Sequence, residues 1–124
     1  MGMAEFFAME AGEYLERLDA LVSASTAPNA EEFIRLSRAL RGSALMANQQ
    51  PIAGAAAGLE ALARALRESK VTWDAGIKQL AIRSVDDIKI VLLYKHHDES
   101  VQVKVMRKRF LLGDREQEFI VTLR

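Results

Sequence analysis

The chain contains no cysteine. Disulfides, thiolate metal sites and a cysteine nucleophile are therefore excluded, and a reducing, cytoplasmic setting is expected. Charge of one sign is also missing. Seventeen basic and seventeen acidic side chains give a formal net charge of zero. No global field draws such a chain towards nucleic acid or an anionic membrane, and neither is expected as a partner. Long hydrophobic runs are absent too: the most apolar stretch, Ile88 to Tyr94, is too short to span a bilayer and contains Lys89. The opening Met1-Gly2-Met3-Ala4-Glu5 has no basic leader followed by an apolar run, so no signal peptide is expected. No hydrolase, redox or nucleotide-binding constellation is visible, so neither an enzyme nor a cofactor is expected. What is present is 124 residues, half of them hydrophobic, enough for one compact domain with a real core.

Most of that hydrophobicity is helical in its spacing. Phe7, Ala11, Tyr14, Leu18 and Leu21 recur in steps of four and three and predict a helix over about 4–22. The small, turn-forming residues at 23–28, ending in Pro28, interrupt it. Asn29 is placed to cap a second helix, with Glu32 answering three residues later. Phe33, Leu36, Leu40, Ser43, Ala44 and Ala47 line the inward face of that helix, which should end near Asn48 because Pro51 disfavours helical geometry at Gln50. Pro51 suits the start of a third helix, whose stripe is Ile52, Ala55, Ala56, Leu59, Leu62, Ala63 and Leu66. Gly54 and Gly58 weaken it, and close approach of a neighbouring helix would be the compensation. Thr72 is a candidate cap for a fourth helix, with Trp73, Ile77, Leu80, Ala81, Ser84, Ile88 and Val91 inward. Beyond Ile88 that helix is apolar on more than one side (Ile90, Leu92, Leu93) and requires cover from the tail, the first helix or a second subunit. Short connections between such helices predict an all-α, antiparallel up-down four-helix bundle over residues 1–97, with near-parallel, left-handed packing.

Residues 98–124 differ. Residues 100–105 alternate with period two and are rich in β-branched side chains, residues 118–123 are strand-like, and Gly113-Asp114 lies between them as a turn. A β-hairpin or partner-binding extension fits this pattern. A helix over about 99–112 fits as well, because Val101, Val105 and Leu112 share a helical face.

Two stretches stand out: Phe7-Ala8-Met9-Glu10-Ala11-Gly12-Glu13-Tyr14-Leu15-Glu16-Arg17-Leu18, and Leu36-Ser37-Arg38-Ala39-Leu40-Arg41-Gly42-Ser43-Ala44, with Leu59-Glu60 following. The first is similar to the opening helix, and the second to the central motif, of histidine-containing phosphotransfer (HPt) domains. The resemblance is greatest to those that open chemotaxis-type histidine kinases, and Leu59-Glu60 is in keeping with it. The resemblance covers about the first 94 residues. It implies a two-component signalling module whose partner is a response-regulator receiver domain or a histidine kinase domain. In the family an exposed histidine carries phosphate and exchanges it with a receiver aspartate. The matching position here is Arg38, the adjacent lysine is Arg41, and the glycine and serine are kept as Gly42 and Ser43.

Arginine cannot perform the histidine reaction. Imidazole offers a lone pair near neutral pH, whereas guanidinium stays protonated and only donates. No catalytic residue is therefore expected. Binding remains open to it, because a guanidinium fork suits carboxylate and phosphate oxygens. The expected partner-binding residues are Arg35, Arg38, Arg41, Gly42 and Leu45, with Ile34, Arg38, Arg41 and Leu45 sharing an outer face. Gly42, four residues after Arg38, would open a notch for a partner loop. A solvated helix side is the plainer account of the arginines, and a helix–helix contact is the plainer account of Gly42.

Two rival functions follow from the same residues: a homodimerising assembly domain using helix four and the tail, and an active phosphotransfer protein using a residue outside the motif. His96 and His97 diverge on any regular element, so no metal site is read from them. Trp73 reads as a packing anchor. Lys104, Arg107, Lys108 and Arg109 read as charge guarding a ribbon edge.

Overall fold

The computed structural model describes the backbone of residues 2–97, 104–112 and 115–123, and the side chains of residue 2 and residues 5–92. Four helices come first: α1 (Met3–Ser23), α2 (Ala30–Met46), α3 (Gln50–Arg67) and α4 (Ala75–His97). α1 packs on α2 and α4, and α3 packs on α2 and α4, so sequence neighbours are spatial neighbours in an antiparallel four-helix bundle. Two strands, β1 (Lys104–Leu112) and β2 (Arg115–Leu123), then form an antiparallel hairpin in which Lys104 pairs with Leu123 and Leu112 with Arg115. The helical alternative for this stretch is not adopted over 104–112. Residues 100–103 and the Gly113-Asp114 turn lie outside the described residues. β2 runs alongside α3 and α4. No described helix is long and apolar enough to cross a membrane.

Local hydrogen bonds set the start of α2, the ends of α2 and α3, and the start of α4. The Asn29 side chain accepts a hydrogen bond from the Glu32 N–H at 2.9 Å, capping α2 as its spacing predicts. The Glu32 carboxylate does not complete a capping box. It pairs instead with Arg35, at 2.6 Å from Nη2 and 3.1 Å from Nε, because that guanidinium lies on the same side one turn on. α2 and α3 both stop through residues in the left-handed region, Asn48 (φ 55°) and Ser69 (φ 58°). The following N–H groups reach back to close each end, Gln49 to the Ala44 carbonyl at 2.7 Å and Lys70 to the Ala65 carbonyl at 2.8 Å. The cap of α4 is Asp74, not Thr72: its Oδ1 accepts from the Ile77 N–H at 2.9 Å. A carboxylate two residues nearer the helix is better placed for those free donors, and it favours the positive helix end.

The core runs through all four helices. Phe7, Leu15, Leu18, Phe33, Leu36, Leu40, Ile52, Leu59, Leu62 and Ile88 are buried, among others, each contributing roughly 1.5–3 kcal/mol by leaving water. On α1 the buried face is turned slightly from the expected one: Leu15 and Val22 are buried, while Tyr14 and Leu21 pack at its margin. Ile34, expected on the outer face of α2, is 4% exposed. Gly54 is exposed, and a Cβ there would meet nothing within 4 Å, so close approach is not the reason for that glycine. Trp73 closes one end of the bundle with its ring edge-to-face on Phe33, centroids 6.4 Å apart, a contact worth about 0.5–1.5 kcal/mol beyond burial. At the same end Lys78 Nζ donates to the Ala24 carbonyl at 2.8 Å, tying the start of α4 to the end of α1.

Candidate functional site

Helix α2 carries the expected site residues, and two of the arginines converge on a third element. Arg38 projects outward with 56% of its side chain exposed, as its position between Leu36 and Leu40 requires. Arg41, one turn on, is only 35% exposed because it leans over α3. There it meets Glu60, a residue 7% exposed. Arg41 Nε donates to Glu60 Oε1 at 2.9 Å. Arg64, one turn along α3, donates to Glu60 Oε2 from Nε at 3.1 Å and from Nη2 at 2.7 Å. Arg38 Nε lies 3.7 Å from the same Oε2. One buried carboxylate thus holds two guanidiniums by hydrogen bonds, from α2 and α3, and has a third within ion-pair distance.

The electrostatics follow from this arrangement. Burial alone would raise the Glu60 pKa, but the hydrogen bonds from Arg64 and Arg41 outweigh it and hold the carboxyl below its ordinary range. Glu60 is therefore ionised at neutral pH. Three cations around one anion leave a formal surplus of two positive charges at the α2–α3 junction. The terminal nitrogens of Arg38 and Arg41 have no partner among the described residues. Arg38 also borders a shallow, open groove with Ile34, Arg35 and Arg67.

The other expected residues are placed less uniformly. Arg35 is exposed but tied to Glu32 and takes no part in the Glu60 cluster. Leu45 is 46% exposed near the end of α2, beside Met46 at 85%. Gly42 is half-buried, and a Cβ there would meet nothing within 4 Å among the described residues. A helix–helix contact is therefore not what keeps glycine at 42, and the space beside it is open. Arg64 was not among the expected site residues, although its spacing of four from Glu60 is a recognisable helical pair. The meeting of Glu60 with Arg41, nineteen residues apart, has no local signal.

Among the described residues no group of three or more potential metal ligands occurs. The side chains of His96, His97, Lys104, Arg107, Lys108 and Arg109 lie outside the described residues.

What the fold and these side chains define is a four-helix bundle with a cationic, donor-rich face built on a buried glutamate. No protein family, curated protein or solved structure matches the chain.

Proposed function

We propose that this chain is an HPt-like docking module of a two-component signalling system, one that binds a receiver or kinase domain without accepting phosphate. The observation that carries the reading is the exposed guanidinium of Arg38, at the position where the resemblance places the phosphoacceptor, beside the open space at Gly42. A group that is always protonated supplies donors and no nucleophile, so the face is suited to holding anionic oxygens and unsuited to relaying phosphate. Arg41 reinforces Arg38, and Gly42 lets a partner loop approach the α2 backbone.

Calorimetric titration against a panel of receiver and kinase domains tests this directly. Native protein should bind at least one member, and Arg38→Ala should weaken that complex by about tenfold or more, the scale of a lost charge-assisted hydrogen bond. Equal binding by native protein and Arg38→Ala, or no binding to any member, would overturn the docking reading. Incubation with an active kinase or phosphorylated receiver should leave no acid-labile phosphate on the protein. Persistent labelling would show a working phosphotransfer protein instead.

A further inference from the structure

Glu60 is more heavily served than neutralisation requires. Arg64 alone makes two hydrogen bonds to it and Arg41 adds a third, which satisfies a buried carboxylate. Arg38 stands 3.7 Å away with most of its side chain in solvent and is surplus to that need. Three guanidiniums this close repel one another, and only the central carboxylate makes the crowding favourable. The arrangement also fixes directions. Nε of Arg41 and both Nε and Nη2 of Arg64 are committed inward, so the remaining donors of those forks face away from Glu60.

We infer that Glu60 is a positioning residue, its carboxylate setting Arg38, Arg41 and Arg64 as one three-point donor array for the oxyanion group of the docking partner. The inference rests on the docking reading and adds two residues of α3 to it. The bound oxyanion would be a second negative group among three cations, so it completes the charge balance that Glu60 begins.

Charge and geometry make opposite forecasts here. Glu60→Gln raises the net charge of the face by one. If the face attracts anions only through its charge, this variant binds them more tightly. If Glu60 works by positioning, the variant binds them less tightly, because an amide holds the guanidiniums less firmly. The probe is inorganic phosphate at constant ionic strength near pH 7, followed through the arginine Nε–H resonances of the full chain by NMR, with far-UV circular dichroism checking the fold. In native protein the Arg38 and Arg41 signals should shift saturably with phosphate, and Glu60→Gln should weaken the response at least threefold. Unchanged or tighter phosphate binding by folded Glu60→Gln would overturn the positioning role. Should that variant not fold, the native protein decides. Arg41 and Arg64 Nε–H signals that are dispersed and slow to exchange without phosphate support positioning, and signals matching free arginine overturn it. A receiver that loses affinity on Arg38→Ala and gains affinity on Glu60→Gln would keep the docking reading and remove this inference alone.

Discussion

Two seams of the bundle are tied by opposite means. Between α2 and α3 one acidic side chain, Glu60, sits among three basic ones. Between α1 and α4 one basic side chain, Lys89, sits between two acidic ones, 2.6 Å from Asp19 and 3.4 Å from Glu16. The Glu60 side chain is 9% exposed, whereas the Lys89 side chain is 30% exposed. Depth decides what each can do. Glu60 can leave water only with a full set of partners, so it gathers arginines and fixes them. Lys89 keeps contact with water, and its ammonium acts as a movable point charge that fastens two helices without building a surface.

Removing the two centres should separate them, beginning with the larger effect. Glu60→Ala should destabilise the protein by about 1–3 kcal/mol in urea unfolding, discounted from the usual cost of breaking a buried pair because the arginines are partly solvated. Lys89→Met should cost less, about 0.5–1 kcal/mol, because both acidic partners can be rehydrated. Equal losses would mean that depth is not what distinguishes the seams.

Acid and alkali should sharpen the contrast. Glu60 titrates below its ordinary range in the folded chain. Its stabilisation is therefore complete above the unfolded value and is lost as pH falls through the folded one. The stability gap between native protein and Glu60→Ala should accordingly close from about pH 4 downward and stay flat at alkaline pH. The α1–α4 seam should fail at both ends. Asp19 is held low, chiefly by its hydrogen bond from Lys89, so its contribution falls away in acid. Lys89 is held high, chiefly by the same bond. Its contribution is complete below the ordinary lysine value of about 10.4 and is lost as pH rises through the folded value. Urea unfolding of Lys89→Met and native protein across both limbs measures this, and a gap persisting at either extreme would contradict it.

Effects of the opposite sign come from two glycines. Gly42→Ala and Gly54→Ala should each stabilise by about 0.5–1 kcal/mol, since helix propensity improves and nothing lies within 4 Å of either added Cβ. Only Gly42→Ala should weaken docking, because Gly54 is on α3 and outside the cluster. A loss of affinity in both would point to a general effect on the bundle.

Much of this molecule was legible along the chain. The four helices follow from apolar spacing, and Asn29 and Pro51 mark the starts of α2 and α3 where those residue types belong. Arg38 was legible as outward-facing because Leu36 and Leu40 flank it. Ile34 departs from the outer face that the spacing of α2 alone implies, because burial there depends on what lies across the junction. Thr72 and Asp74 are both good capping residue types, and only the backbone path selects Asp74 for α4. Ser37, buried in the core with its hydroxyl unpartnered among the described residues, has no periodic signal either.

By itself the sequence determined which segments are helices, where α1 and α2 stop and which arginines leave the core, because those outcomes depend on contacts within a turn or two. Only the tertiary structure decided that Arg41 and Glu60 meet, that Arg64 joins them and that Arg35 does not. Ion pairing across helices depends on distance and burial, and neither exists until α2 and α3 are packed.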